Sequence, residues 1–161
     1  VQIVNSNLPD DILSALSEHN VPAHFLNFEM PETVESSEHT TVNIHRIRSG
    51  GSGFSLEDFG KVGSGLSKIS DSGFDVIKLD KSLVQPSLDR SNKKAGIILE
   101  SLIGMIRQLG IGVAAEGVET EEMANELIAD GVNYLHGYYY SRPLSEGKFL
   151  DFIKQHNMKG T

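Results

Sequence analysis

Four short apolar runs in this chain each close on charged side chains, first Glu29, then Glu57 with Asp58, then Lys78 with Asp80, and last Glu116. An apolar run of a few residues bounded by turn signals reads as a buried parallel strand. A parallel (β/α) barrel presents its chemistry at the C-terminal ends of its strands. Carboxylates that recur at that level point to a divalent-cation site, because a hard cation takes oxygen ligands.

The rest of the chain is organised around those runs. Strand-like stretches fall at 1–4, 24–28, 54–56, 75–79, 111–115 and near Tyr134. Helix-like stretches separate them. One opens at Pro9 with Asp10 and Asp11 in its first turn, and a weaker, β-branched one covers 34–47. The clearest runs over 91–109, with Ile98, Leu102, Met105 and Leu109 on one stripe and Gly110 as its stop. Two more follow, at 121–129 behind a Thr120 cap and after Ser145. Five or six βα units in this order imply an α/β fold with a parallel sheet. The glycine-rich segment 49–53 reads either as a flexible linker or as the turn between a helix and the next strand, and the pattern on both sides favours the turn.

Composition bounds what such a chain can do. At 161 residues and 39% hydrophobic content there is material for one core, but a complete eight-stranded α/β barrel takes about 250 residues. The net charge of −8 excludes passive binding of a nucleic acid polymer, so an anionic ligand requires bound cations. The absence of cysteine excludes disulfides and thiolate zinc sites. No apolar stretch approaches the roughly 18 residues of a membrane span, so no membrane contact is expected from this segment. A cytoplasmic location is the expectation, and a membrane-tethered parent protein would carry the same segment.

Each charged motif has a structural and a chemical reading. Adjacent Glu57 and Asp58 converge if the strand has ended and turned, and with Glu29 they supply oxygen ligands suited to Mg²⁺ or Mn²⁺. Otherwise they cap helices or face solvent. Lys78 is either a structural ion pair or a cation that orients a nucleophilic water and neutralises phosphoryl charge. The segment 114–120 (AAEGVET) alone reads as a helix entry carrying Glu116 and Glu119. His19, His24, His39, His45 and His156 show no paired metal spacing. Tyr138, Tyr139 and Tyr140 either stack on a base or, the commoner case, pack as core and rim.

Read together, DFG at 58–60, IKLDKSLV at 77–84, AAEGVET at 114–120 and HGYYYSRPL at 136–144 resemble, in order and spacing, the signatures of the EAL-domain phosphodiesterases. NFEMPET at 27–33 resembles that family's Glu-x-x-Glu motif. The resemblance spans essentially the whole chain and implies one partial EAL-like domain over 1–161, a TIM-like barrel of the EAL type that is incomplete because its front strands are absent. It implies hydrolysis of cyclic di-GMP to the linear dinucleotide with two divalent cations. Glu29, Glu57 and Asp58 would then be metal ligands, with Asn5 a further one. Lys78 and Glu116 would position or activate the attacking water, and Glu32 would support the loop after Asp58. His136, Asp80 and Glu119 would face the substrate, with His136 where the family usually has Gln.

Departures from the pattern weigh against full activity. The Glu-Ala-Leu tripeptide that names the family is absent, and with it one metal ligand. Glu57 stands where the family has Asp, one methylene shorter, and GKVGSG at 60–65 replaces the usual Thr and aromatic, bringing Lys61 close to the site. An imidazole at His136 donates and accepts together in only one tautomer. Weak metal binding is expected, with Lys61 or Lys78 supplying part of the missing positive charge. Carboxylate crowding would raise at least one pKa unless a cation is present.

Three function classes follow. The chain belongs to a phosphodiesterase whose complete form is active while this segment alone is not, or to a degenerate receptor for cyclic di-GMP, or to a protein-interaction module. Upstream or regulatory domains are expected in the parent protein. Unpaired barrel edges invite a partner, so a homodimer is also expected.

Overall fold

The computed structural model describes residues 3, 5–33, 37–61, 66, 69, 73–89 and 91–157. Its elements run α1 (Leu8–Glu18), β1 (Asn27–Pro31), α2 (Glu38–Ser49), β2 (Gly53–Phe59), β3 (Val76–Leu79), α3 (Lys81–Ser87), α4 (Lys93–Gln108), β4 (Gly112–Glu116), α5 (Glu121–Ala129), β5 (Tyr134–His136) and α6 (Glu146–Asn157). The strands form one parallel sheet in the order β1-β2-β3-β4-β5. Every neighbour in the sheet is thus a neighbour in sequence, with no reversal of strand order. That is the winding of a barrel and not of a doubly wound sheet.

Burial follows position in the sheet. In β2, β3 and β4 runs of consecutive residues are buried, because helices cover one face and the barrel interior the other. Phe54, Leu56, Ile77, Leu79, Val113 and Ala115 join Ile47, Ile103 and Leu127 in a single core. In β1 exposed residues alternate with half-buried ones, as expected of a strand covered on one side.

The structure corrects several boundaries. The strand expected at 24–28 begins later, because Pro22 opens a helical turn at Ala23–Phe25, closed by the Phe25 N–H to Pro22 O at 3.0 Å. Glu29 therefore lies in the middle of β1, opposite Ser55, and not at a strand end. The strand expected at 54–56 runs on to Phe59. The strand expected at 1–4 falls outside the described residues except for Ile3, which sits in a helical turn. Residues 34–36 of the expected second helix and 62–65 of the GKVGSG loop also fall outside them.

On α4 the expected stripe is out of phase. Leu99, Ile103 and Ile106 are buried, whereas Ile98 and Leu109 are more than half exposed. Both stripes are apolar at helical spacing, and only the packing of α4 against β4 and α3 selects between them. The segment 49–53 is a turn: Gly50 N–H reaches Arg46 O and Ile47 O, and Gly53 N–H reaches Leu26 O at 3.0 Å. Tyr138, Tyr139 and Tyr140 are exposed and not core, with Arg142 stacked over Tyr138 at 4.4 Å.

Candidate functional site

Lys78 organises the rim. It lies in β3, paired with Ala114 of β4, and its side chain is only 8% exposed. The ammonium stands between three carboxylates, 2.8 Å from Glu29 Oε1, 3.0 Å from Glu116 Oε1 and 3.4 Å from Glu57 Oε1. Three donors meet three acceptors. Burial alone would push the Lys78 pKa down, but Glu29 and Glu116 outweigh it and hold the pKa above the ordinary lysine value. Reciprocally, the hydrogen bond from Lys78 keeps the Glu29 carboxyl below its ordinary range despite partial burial. The crowding expected to raise a carboxylate is thus relieved by a cation the chain carries itself.

Adjacent side chains on a regular strand point to opposite faces, yet Glu57 and Asp58 both serve the rim. The reason is a bulge. Leu56 pairs with Ile77 and Phe59 with Leu79, so Glu57 and Asp58 together oppose Lys78 alone. Asp58 takes φ +59°, a left-handed conformation that Asp tolerates better than most residues. Gly60 follows at φ +97°, where an added Cβ would come within 2.9 Å of Leu83. The bulge sends Glu57 to Lys78 and Asp58 to a second group of acids.

That second group is Asp58, Asp80 and Glu116, from each of which one carboxylate oxygen lies within 4.8 Å of the others. A divalent cation with ligands at about 2.0–2.6 Å spans such separations, and three hard oxygens are a donor set for Mg²⁺-like ions. The residues fit a cation. Asp80 is buried and caps α3, its Oδ1 accepting the Ser82 N–H at 2.8 Å. Burial raises its pKa, but the hydrogen bonds from Ser82 and the charges of Lys61 and Lys81 prevail and leave it lowered. Lys61 Nζ lies 3.3 Å from Asp58 Oδ1 at the exposed margin.

The expected ligand set is therefore divided. Glu29 and Glu57 face Lys78, while Asp58 groups with Asp80 and Glu116. Asn5 Oδ1 accepts the Asn7 N–H at 3.1 Å, and its carbonyl accepts the Asn43 side-chain amide of α2 at 2.8 Å. Glu32 is buried and its N–H reaches Glu57 O at 3.2 Å, which ties it to the bulge. His136 ends β5 opposite Glu116, and its charge contributes to lowering Glu29 across the rim. Glu119 Oε1 accepts from Gln85 Nε2 at 3.3 Å, and the same amide reaches Gly117 O at 3.2 Å. Gln85 thus secures the turn after Glu116. A lone glutamine in a helix carries no sequence signal for that role.

Comparison with known proteins bears on the family of the chain. The EAL domain model matches residues 1–143. The cyclic di-GMP phosphodiesterase RocR of Pseudomonas aeruginosa is 31% identical over 153 residues, covering 94% of this chain and 38% of RocR. The oxygen sensor protein DosP of Escherichia coli is 32% identical over 142 residues, covering 87% of this chain and 18% of DosP. The chain thus spans well under half the length of these relatives. Among solved structures, the EAL enzyme Bd1971 with cAMP and cyclic-di-GMP bound superimposes with a TM-score of 0.88 at 28% identity, over 94% of this chain and 40% of that one. The EAL domain of Mycobacterium smegmatis DcpA gives 0.84 at 25% identity, over 96% and 69%. A family match over residues 1–143, on a sheet whose strand ends carry the motif residues, leaves one placement: this chain belongs to the EAL domain family.

Proposed function

We propose that residues 1–161 form one partial EAL domain whose complete form hydrolyses cyclic di-GMP to the linear dinucleotide, and that this segment alone has no measurable turnover. The observation that carries the reading is the grouping of Lys78 with Glu29, Glu57 and Glu116 on neighbouring parallel strands, beside the open carboxylate group of Asp58, Asp80 and Glu116. Asp58, Asp80 and Glu116 would hold Mg²⁺ or Mn²⁺, with Glu29 and Glu57 close by. A bound cation would supply charge stabilisation for the phosphoryl oxygens. The Glu116 carboxylate would accept the proton of an attacking water, with the Lys78 ammonium 3.0 Å from its Oε1 to orient it. His136 and Glu119 would contact the dinucleotide.

A second reading, a receptor that binds cyclic di-GMP without cleaving it, is favoured by two pairs: Glu57 is engaged with Lys78, and Asp58 with Lys61. Product analysis by chromatography separates the two. The domain extended upstream to full length should convert cyclic di-GMP in Mn²⁺, and the Glu116→Gln variant should not. Binding by calorimetry without conversion would establish the receptor instead. Conversion by the 161-residue chain, lost in Glu116→Gln, would overturn the claim that the segment is inactive alone.

A further inference from the structure

The carboxylates of the rim meet two lysines that differ in kind. Lys78 is enclosed and held by three acidic partners, whereas the Lys61 side chain is 56% exposed and pairs with Asp58 alone among the described ion pairs. The position of Lys61 is nonetheless set by the backbone. Its N–H closes a turn onto Asp58 O at 3.1 Å, a turn made possible by the positive φ of Asp58 and Gly60. The turn brings the ammonium over the carboxylate that the bulge delivers to the open acidic group, with Nζ 3.3 Å from Asp58 Oδ1.

We propose that Lys61 is an internal competitor for the divalent cation, occupying Asp58 in the metal-free chain and giving it up when the cation binds. This rests on the reading of Asp58, Asp80 and Glu116 as the cation's ligands. The physical argument is the exclusion of like charges. A dication among these oxygens, which lie within 4.8 Å of one another, sits close to an ammonium 3.3 Å from one of them. The two repel at that range even in a high dielectric. Asp58 can satisfy either, and metal binding therefore includes release of Lys61. An exposed lysine is released at small cost because water replaces its partner. Lys78 cannot be released in this way without stranding three carboxylates. Once freed, the Lys61 ammonium swings away from the cation but stays tethered by its turn at the margin of the site, where it can pair with a phosphate of an arriving ligand. Metal and phosphate-bearing ligand then strengthen each other's binding, as linkage requires.

The test is Mn²⁺ affinity of the purified chain, measured by calorimetry or by the loss of the free-ion electron paramagnetic resonance signal. Lys61→Gln should tighten Mn²⁺ binding about two- to fivefold at low salt, a range set by the worth of an exposed ion pair. The gain should shrink in high salt, which screens exposed charges. Lys61→Arg should keep the parent affinity, and Lys94→Gln, with the same change in net charge on α4, should leave it unaltered. An unchanged or weaker affinity in Lys61→Gln, or an equal gain in Lys94→Gln, would overturn the proposal. Asp58→Asn separates this from failure of the site itself. If Asp58→Asn weakens Mn²⁺ binding while Lys61→Gln does nothing, the ligand assignment stands and the competition is wrong; if Asp58→Asn has no effect, the assignment fails and the competition with it.

Discussion

The two halves of the rim handle negative charge in opposite ways. Around Lys78, three carboxylates share one enclosed ammonium that is 8% exposed, and the pKa values respond, with Lys78 held up and Glu29 held down. Around Asp58 and Asp80 the carboxylates gather beside an exposed lysine, at a distance that suits a cation. One half carries its own cation, and the other, in the proposed reading, takes one from solution. Glu116 belongs to both, and this shared carboxylate makes the rim one site.

The largest effect should come from the shared residue. In the full-length domain, Glu116→Gln should reduce cyclic di-GMP hydrolysis at least about 100-fold, the usual range for loss of a proton-transfer group, and should weaken Mn²⁺ binding as well. A variant with normal metal affinity and lost turnover would show that the halves are independent. Lys78→Met comes next. It strands Glu29, Glu57 and Glu116, and should cost about 1–3 kcal/mol in urea denaturation near neutral pH, less in acid where the carboxylates are protonated. Equal cost at both pH values would mean that packing, not charge, holds this half together.

Asp80→Ala tests the open half from its buried side. It removes the α3 cap, which should cost about 1 kcal/mol, and it should weaken Mn²⁺ binding. Asp80→Asn retains the capping oxygen and should recover most of the stability but not the affinity.

The smallest effect concerns pH. Glu29 has a lowered pKa, so its contribution to stability is fully present above its ordinary value of 4.5 and is lost as the pH falls through the depressed one. Lys78 has a raised pKa, so its contribution is present below 10.5 and is lost only as the pH rises through the elevated one. The Glu29–Lys78 pair should therefore be insensitive to pH between those limits. Glu29→Gln should shallow the acid limb of a stability profile measured by denaturant titration. An unchanged acid limb would remove Glu29 from the enclosed half.

Much of this site was legible in the residues. Glu57, Asp58, Lys78, Asp80 and Glu116 stand where apolar runs give way to polar ones, and the parallel strands carry them to one rim. The phase of α4 was not legible, because Ile98 and Leu99 are both apolar and each begins a helical stripe; contact with the sheet buries Leu99 and leaves Ile98 outside. The start of β1 was hidden as well. The aromatic run 24–28 looks extended, but hydrogen bonding from Pro22 onward turns it first.

The sequence by itself determined the order of elements, the parallel winding and the acidic character of the rim, since these follow from local periodicity, turn residues and the side chains at run ends. Only the tertiary structure decided how the acids divide. That division depends on a bulge opposite Lys78, on the left-handed backbone of Asp58, and on which carboxylates on β1, β2 and β4 come within reach of one ammonium. These are distances between strands far apart in the chain, set by sheet register and curvature, and no local pattern of residues encodes them.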